Sequence, residues 1–371
     1  MQVFGPNELL EDVLQSGLCI GCGACVNLCP YFRTYRGKTA MLFPCTSTAG
    51  RCHAFCPKTE VDLDELSRFS IGEPYTGKPI GSYRSIFMSR AGQAAGSGEF
   101  QDGGSVSALM KYALESGLAD ASVLTGRKDL VPEPGLATMA GEVAGFASSK
   151  YTAAPTLAAL NDGVKRGFSR MGVVGTPCQL TAVAQMRANP TGADDFVDPV
   201  AFTVGLFCTW ALDTRGFLEF IQTRAPEAKI RKMVIPPPPA GIMVLETDTG
   251  QMEISLDDIR HLVPAGCGIC PDMTAEWADV SVGAMEGFEK ANTLIVRSAR
   301  GEELVKGAAD AGYIVLENFP DENRRHLEGA SAGKKKRAFV QAQQDNMINT
   351  GQDKRAALRV NPETLEKIIS D

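Results

Sequence analysis

The sequence predicts a protein of the α+β or α/β class, with a small cysteine-rich module at its N-terminus and a helical, partly extended tail at its C-terminus. Seven of the eleven cysteines fall within the first 56 residues, and the other four lie in a region of different composition. From Ser82 onward, short apolar runs alternate with amphipathic stretches, which is typical of mixed α/β domains. A polar stretch that begins with a cluster of basic residues follows residue 331.

The composition excludes several functional classes. The 371 residues are 44% apolar, which is enough for a sizeable buried core. Lysine and arginine number 37 against 44 acidic residues, and this balance argues against a protein dedicated to nucleic acids. No apolar run reaches the roughly 18 residues of a membrane span, and the N-terminus lacks the basic and apolar regions of a secretory signal. We therefore expect a cytoplasmic protein without a membrane span, in which cysteines are metal ligands more often than disulfides.

The first cysteine motif predicts an iron–sulfur cluster. The segment CIGCGACVNLCP has the spacing Cys-x2-Cys-x2-Cys-x3-Cys-Pro, formed by Cys19, Cys22, Cys25 and Cys29. Three thiolates at this spacing can wrap one cubane cluster, while the fourth points to a second cluster. The small residues between them let the backbone curl around the sulfides. Zinc sites rarely place four cysteines at these gaps, so a structural zinc is the weaker interpretation.

A second, irregular half-motif follows in CTSTAGRCHAFCP. Crosswise ligation gives one complete cluster site, made of Cys19, Cys22, Cys25 and Cys56. It leaves Cys29, Cys45 and Cys52 as a three-cysteine site. That site can hold a [3Fe–4S] cluster, or a [4Fe–4S] cluster with a ligand other than cysteine. His53 is nearby, but a lone histidine is more often a surface side chain. We favour two clusters in residues 1–58, a ferredoxin-like module.

The remaining elements follow from the apolar pattern. Residues 59–80 read as a polar linker, and residues 81–330 as the mixed α/β domain. Apolar runs predict strands at SIFMSR, ASVLTG, MGVVGTP, AFTVGLFC and TLIVRS. Amphipathic spacing predicts helices over 106–114 and 156–164 and from Glu302. The run MVIPPPPAGIMVLETDTGQMEISL predicts a β-rich excursion with a proline-stiffened turn at Pro236–Pro239.

The tail of residues 331–371 begins with Lys334, Lys335, Lys336 and Arg337. Such a cluster can meet an anionic coenzyme or a partner subunit. A solvated helix face is the preferred interpretation, because charge runs are usually exposed.

Four further cysteines lie where an α/β fold places its ligand sites. Cys178 and Cys208 each follow a predicted strand, and Cys267 and Cys270 lie in AGCGIC. Together they can hold a third cubane cluster, although two of them can also be buried structural thiols. Residues 101–105, Gln-Asp-Gly-Gly-Ser, open a helix whose N-terminus suits a phosphate or a flavin pyrophosphate. The pair Lys150 and Tyr151 adds a cation and an aromatic face.

Five segments together resemble the β-subunit family of coenzyme F420 (F-420)-reducing hydrogenases and dehydrogenases. They are QDGGSVSALMKYALESG, SSKYTAAP, GTPCQL, VGLFC and CGICPDMTAEWADVSVGAMEG, and they cover roughly residues 82–345 in the order of the family. A ferredoxin module is a feature of the longer members, such as formate dehydrogenase β-subunits. The resemblance implies that residues 81–330 bind FAD and a [4Fe–4S] cluster, and that the flavin performs hydride transfer without a catalytic side chain. It implies cluster ligands at Cys178, Cys208, Cys267 and Cys270. It implies flavin contacts at Gln101, Asp102, Gly103, Gly104, Ser105, Lys150, Tyr151, Thr176 and Gln179.

The function implied is exchange of a hydride between coenzyme F420 and FAD, followed by one-electron transfer through two or three clusters. The implied partner is a larger redox subunit of the formate dehydrogenase, hydrogenase or heterodisulfide reductase type. Basic residues should line the path of the anionic coenzyme, and Lys150, Arg166 and the 334–337 cluster are the candidates. The same architecture with NAD(P)H or ferredoxin is an alternative, but no GxGxxG fingerprint supports a nicotinamide site. A flavin-free electron-transfer subunit is another.

Overall fold

The computed structural model describes residues 2–96, 98, 100–189, 196–226, 228–236 and 240–370. Three residues of the predicted proline turn, 237–239, therefore lie outside the described residues. Within the described part of the chain, none of the helices has the length and apolar character that a membrane crossing requires.

Sixteen strands are assigned among the described residues. They are β1 (Phe32–Tyr35), β2 (Lys38–Met41), β3 (Val61–Asp62), β4 (Ser85–Ala91), β5 (Ala121–Lys128), β6 (Val131–Ala137), β7 (Met171–Gly175), β8 (Val200–Leu206), β9 (Ile230–Val234), β10 (Ile242–Thr247), β11 (Gln251–Ser255), β12 (Val280–Ala284), β13 (Asn292–Val296), β14 (Ile314–Asn318), β15 (Ile348–Asn349) and β16 (Leu358–Arg359).

The same residues form twelve α-helices. They are α1 (Pro6–Leu9), α2 (Arg51–Ala54), α3 (Leu63–Ile71), α4 (Ser105–Glu115), α5 (Thr156–Lys165), α6 (Pro177–Ala188), α7 (Thr214–Arg224), α8 (Leu256–Ile259), α9 (Ala265–Gly268), α10 (Ala299–Asp310), α11 (Asp321–Gln344) and α12 (Pro362–Ser370). A π-helical segment spans Leu10–Gln15, and 3-10 segments span Gln93–Ala95, Ala140–Phe146 and Arg260–Leu262. All the strands and helices predicted from the apolar pattern are present, with the helix predicted from Glu302 beginning at Ala299.

The centre of the fold is an eight-stranded mixed sheet in the order β14-β4-β13-β12-β8-β7-β5-β6. The strands β5, β7, β8 and β12 pair in parallel, and the flanking pairs β5–β6, β12–β13, β13–β4 and β4–β14 are antiparallel. All five residues of β7 are buried, as expected for a parallel strand that is covered on both faces. Successive residues face opposite layers: Val173 packs with α5 and α6, and Val174 packs with α4 and α10. The predicted mixed α/β fold is confirmed.

The predicted β-rich excursion is a separate antiparallel sheet in the order β11-β10-β9. Met233, Met243 and Leu245 form its buried face and pack with Phe217 of α7. This sheet places the end of β9 beside the loops that precede α4 and α5, which matters for the site described below.

The segment 59–80, predicted as a polar linker, instead contains β3 and α3. Asp62 caps α3 by accepting the Glu65 N–H, and Gly72 ends the helix with φ of 84°. Leu63 and Leu66 are buried against Leu358 and other residues of the tail, which forms a sheet in the order β15-β16-β3. The sequence pattern did not indicate this strand and helix, because the apolar residues of the segment are few and their partners lie almost 300 residues away.

The basic cluster of the tail also differs from the prediction of a solvated helix face. The helix α11 begins at Asp321, ten residues before the predicted tail, and it buries Lys334 and Lys335. Lys335 Nζ lies 2.6 Å from Glu276 Oε1, in a fully buried ion pair, and it donates to the Tyr75 hydroxyl. Charge runs are usually exposed, but here the loop after residue 270 supplies acceptors that satisfy both ammonium groups.

Candidate redox centre

The module set consists of Cys19, Cys22, Cys25 and Cys56, and these four side chains line one cavity. Burial raises the pKa of the Cys22 and Cys25 thiols well above the usual value, and the Cys56 thiolate raises both further. Burial likewise raises the pKa of Cys56 to about 12, with Cys19 adding to the shift. The structure therefore brings together the four cysteines that crosswise ligation predicted.

The loop of the module set is held against α5 of the central domain. Gly23 has φ of 83°, and a Cβ there would lie 2.6 Å from the Pro155 carbonyl oxygen, so only glycine fits. The Cys22 carbonyl accepts the Leu157 N–H, and Asn161 Nδ2 donates to the Ala24 carbonyl at 3.0 Å. These contacts fix the cluster-binding loop on the same helix that packs on the central sheet.

The outer set consists of Cys29, Cys45 and Cys52. Burial raises the pKa of Cys52 to about 11, and the thiolates of Cys29 and Cys45 raise it further. His53 differs from the surface side chain that the sequence predicted. It is buried, its Nδ1 accepts the Phe4 N–H at 3.4 Å, and burial lowers its pKa to about 4.

The core set consists of Cys178, Cys208, Cys267 and Cys270. Cys178 lies in the first turn of α6, directly after β7, and Cys208 follows β8. The other two lie in and just after the short helix α9. Burial raises the pKa of Cys178 to about 12, and the thiolates of Cys270 and Cys267 raise it further. Burial raises the pKa of Cys208 even more, with the same two neighbours contributing.

The chemistry of these donors fits iron–sulfur clusters. Buried thiols with raised pKa values remain protonated at neutral pH, and metal binding stabilises the thiolate that burial disfavours. Backbone N–H groups donate to several of the sulfurs, among them that of Ala24 to Cys22, that of Lys58 to Cys56 and that of Ala211 to Cys267. Among the described residues, no group of Cys, His, Asp and Glu is arranged to hold a single metal ion. A cubane cluster spreads its thiolates over four iron atoms, which is a wider arrangement than a mononuclear site.

The three sets form a continuous series. The charge of the Cys178 thiolate, in the core set, adds to the raised pKa of Cys22 in the module set. The charge of the Cys52 thiolate, in the outer set, adds to the raised pKa of Cys25 in the module set. The module set therefore lies beside each of the other two.

Of the predicted flavin contacts, Gln101, Asp102 and Tyr151 lie together at the end of β9. Gln101 Nε2 donates to the Met233 carbonyl at 3.2 Å, and the Tyr151 hydroxyl accepts the Ile235 N–H at 3.2 Å. Burial raises the pKa of the Tyr151 hydroxyl, with the Asp102 carboxylate adding to the shift. The loop 101–105 and the pair Lys150 and Tyr151 are therefore neighbours, as a shared ligand would require.

Lys150 lies in the same site. Its Nζ donates to the carbonyl oxygens of Phe146, Ala147 and Ser148. Burial lowers its pKa to about 8, and the charge of Arg127 lowers it further. A second cation therefore lies beside Lys150, at the C-terminal end of β5.

The turn before α4 was predicted to offer a helix N-terminus to a phosphate, but in the structure it contacts another segment of the protein. The Ser105 N–H donates to Asn292 Oδ1 at 3.2 Å, and a Cβ on Gly103 would lie 2.7 Å from the same oxygen. The side chain of Ser105 pairs with Ser89. The first amide of α4 is thus already bonded within the protein, and Gly104 adopts φ of 76° to make the turn.

Thr176 and Gln179 lie at the start of α6, where they form a capping box. Gln179 Oε1 accepts the Thr176 N–H at 2.8 Å, and Nε2 donates to the Ala154 carbonyl and Thr156 Oγ1. Thr176 Oγ1 lies 3.3 Å from Cys178 Sγ. Both side chains therefore connect the core set to the loop that follows Lys150 and Tyr151.

Several charged residues of this region carried no sequence signal. Arg127 donates to the Arg231 carbonyl, and its Nη1 is buried without a hydrogen-bond partner. Burial raises the pKa of Asp102, and the charge of Lys232 opposes this effect. Arg166, predicted on the path of an anionic coenzyme, lies instead at the C-terminal end of α5, where it is exposed and stacks on Phe168. Arg166 precedes β7, so it lies near the N-terminal end of the parallel strands, whereas Arg127 lies at the C-terminal end of β5.

Comparison with known proteins gives a consistent result. Two family models of the coenzyme F420 hydrogenase/dehydrogenase beta subunit match the chain, the N-terminal model over residues 87–161 and the C-terminal model over residues 168–322. Residues 13–31 match a 4Fe-4S binding domain. The chain is 30% identical over 268 residues to the coenzyme F420 hydrogenase subunit beta of Methanothermobacter thermautotrophicus, covering 70% of this chain and 94% of that protein.

A longer relative is the coenzyme F420-dependent sulfite reductase of Methanocaldococcus jannaschii, which is 27% identical over 309 residues. The alignment covers 80% of this chain and 46% of that protein, so this chain spans less than half of its length. A chain of the F420-reducing [NiFe] hydrogenase complex from Methanosarcina barkeri has a similar fold, with a TM-score of 0.65 and 24% identity. That similarity covers 77% of this chain and 98% of the other. The chain belongs to the beta-subunit family of coenzyme F420 hydrogenases and dehydrogenases, a family of oxidoreductase subunits.

Proposed function

We propose that this chain is the hydride-exchanging subunit of a multisubunit redox enzyme in the cytoplasm. It would bind FAD beside the core set, exchange a hydride between FAD and coenzyme F420, and pass single electrons to or from a partner redox subunit. The observation that carries this proposal is the continuous series of three cysteine sets. It leads from the interior of the α/β domain to the N-terminal module, which is the arrangement that a one-electron path requires.

The residues around Lys150 support binding of an anionic cofactor or coenzyme. Arg127, Lys150 and Lys232 lie near Gln101 and Tyr151, in a chain whose overall balance is acidic. Cations of this kind suit the phosphates of FAD or of coenzyme F420. The flavin, when bound, supplies conversion between two-electron hydride transfer and one-electron transfer. The protein residues would hold the anionic part and leave the rings free to meet.

The connection between the two sites also supports the proposal. Thr176 contacts Cys178, and Gln179 binds the loop that contains Ala154 and Thr156. This loop follows Lys150 and Tyr151 directly in the sequence. One short segment therefore joins the proposed flavin site to the core set, which would keep the distance for electron transfer short.

The outer set lies beside a surface that suits a partner protein. Leu42 and Phe43 directly precede Pro44 and Cys45, and they are 53% and 61% exposed. Adjacent exposed apolar side chains of this size, such as Leu42 and Phe43, are typical of protein interfaces. We infer that a redox subunit docks here and exchanges electrons with the outer set.

The test is an anaerobic purification followed by assays of cofactor content and hydride donor. We expect FAD in the acid-released fraction, together with iron and labile sulfide. We expect reduced F420 to bleach the flavin faster than NADH or NADPH does. Iron and sulfide without flavin would indicate a flavin-free electron-transfer subunit. Faster reduction by NADH or NADPH would assign the other hydride carrier, and zinc without sulfide would contradict the redox function.

A further inference from the structure

Two lysines of the redox centre are buried. Lys58 is 5% exposed and Lys334 is 6% exposed. Among the described residues, neither ammonium forms an ion pair, whereas the adjacent Lys335 pairs with Glu276 at 2.6 Å. A buried, unpaired ammonium is costly, so it requires another source of negative charge.

Lys334 is fixed against the core set by hydrogen bonds. Its Nζ donates to the Cys208 carbonyl at 2.6 Å and to the Asp272 carbonyl at 2.6 Å. The Asp272 carbonyl also lies 3.6 Å from Cys270 Sγ, which can donate to it. The ammonium is thus held on the backbone of one core cysteine and shares an acceptor with the thiol of another. Burial disfavours its charged form, but the thiolates of Cys270 and Cys208, followed by the Asp272 carboxylate, raise its pKa.

Lys58 lies between the core set and the module set. It lines the cavity of the module set, and its backbone N–H donates to Cys56 Sγ. In the part of the chain that the structure describes, no hydrogen bond occupies its ammonium. Its charge also reaches the thiols of Cys178 and Cys267, where it opposes the effect of burial. One ammonium therefore acts on cysteines of two sets.

Four thiolates give a [4Fe–4S] site an excess of negative charge, and each electron that it accepts adds another negative charge. A nearby buried cation is only weakly screened, so it stabilises the reduced state more than the oxidised state. Net charge and hydrogen bonding around the sulfurs are known to set the reduction potential of such sites. Fixed lysine charges at these positions would raise the potential of the core set.

We propose that Lys58 and Lys334 are the buried counter-charges of the core cysteine set, that they raise its reduction potential, and that Lys58 does so for the module set as well. Neither is a catalytic residue, because each acts on the sulfur ligands through space. The inference rests on the proposed function, since it requires clusters at both sets. Lys58 lies where an electron would pass between the two sets, so its charge stabilises the reduced state of each.

The test is a redox titration of the full-length, anaerobically purified protein, followed by electron paramagnetic resonance. The signal of the core set is identified as the one that the Cys267→Ser variant lacks. We expect its midpoint potential to fall in Lys334→Met and in Lys58→Met. We expect it to stay near the parent value in Lys334→Arg, which keeps the charge. Lys336→Met is the matched control, because it removes the same charge from the same helix at a less buried position.

An unchanged midpoint potential in both Lys334→Met and Lys58→Met, with iron and sulfide at the parent level, would overturn the proposal. Loss of the core-set signal from both variants, with Lys334→Arg and Lys336→Met intact, would also overturn it. That result would show that the lysines maintain the fold and do not tune the potential. Absence of iron and sulfide from the parent protein would instead contradict the proposed function itself.

Discussion

At the scale of single residues, burial governs how the side chains of the redox centre behave. Burial raises the pKa of Cys56 and Cys178 to about 12, so these thiols need a metal to become thiolates near neutral pH. The cysteine spacing predicted the module set, whereas the core set was predicted from cysteines that follow strands and from the family resemblance. The sequence could not indicate the burial of Lys58, Lys334 and His53, because their surroundings come from distant segments.

The Cys267→Ser substitution tests the ligand role of the core set. We expect the variant to lose one cluster, which lowers the iron content by about a third if three clusters are present. Transfer from flavin to an artificial acceptor should slow, while flavin reduction by the hydride donor survives in part. Stopped-flow absorbance measures the two steps separately. Parent-like iron content and acceptor reduction would show that Cys267 is a structural thiol.

Lys150 gives the proposed anion site a defined pH dependence. Its pKa of about 8 lies below the usual 10.5, so raising the pH through 8 removes its charge from the folded protein. We expect FAD affinity to fall over this range, and Lys150→Met to weaken binding about tenfold and abolish the dependence. Titration of the flavin-free protein with FAD, followed by FAD fluorescence, measures both the affinity and its pH dependence. An identical pH profile in Lys150→Met would contradict the role of Lys150.

The same shift has the opposite consequence for folding stability. Between pH 8 and 10.5 the unfolded chain binds more protons at this lysine than the folded chain does. The contribution of Lys150 to stability therefore increases as the pH rises through this interval. Binding and stability change in opposite directions, which separates loss of affinity from unfolding.

At the scale of secondary-structure elements, α11 connects regions that are distant in sequence. Its buried face carries Lys334, Lys335 and Phe339, and it packs with the N-terminal module and the loop after residue 270. The helices and central strands could be predicted because their apolar periodicity is local. The sheet of β3 with β16 could not, because Val61 pairs with Leu358. Two-residue strands leave almost no pattern in the sequence.

Truncation of Phe339 tests the structural role of this helix. Phe339 is fully buried in the core that the N-terminal module shares with the tail. We expect Phe339→Ala to reduce the free energy of unfolding by about 3–5 kcal/mol. Thermal unfolding under anaerobic conditions measures the loss. Gln343→Ala, at an exposed position on the same helix, is the control and should change stability little. Equal stability of both variants would show that the tail is independent of the module.

At the scale of the whole molecule, the three cysteine sets follow one another from the core set through the module set to the outer set. The proposed hydride-exchange site lies at one end, and the exposed residues Leu42 and Phe43 lie near the other. The 4Fe-4S domain matches residues 13–31, and the two beta-subunit models match residues 87–161 and 168–322. The proposed partner would therefore meet the molecule through its N-terminal module.

Substitution of Phe43 tests this direction. We expect Phe43→Asp to weaken assembly with the native partner at least tenfold, because it places a charge in an apolar interface. Hydride exchange at the flavin should remain at the parent level. Val197→Asp is the control, since Val197 is 74% exposed and belongs to the central domain. Normal assembly of Phe43→Asp would place the partner on another surface.

The most direct test is an anomalous diffraction map recorded at the iron absorption edge from anaerobically grown crystals. We predict iron density at three positions: between the four cysteines of the module set, beside Cys29, Cys45 and Cys52, and between the four cysteines of the core set. In the ordinary electron-density map from the same crystals, we further predict flavin density next to the core set, in contact with Tyr151. A map without iron at the core set, or with zinc alone at the cysteines, would contradict the proposed electron path.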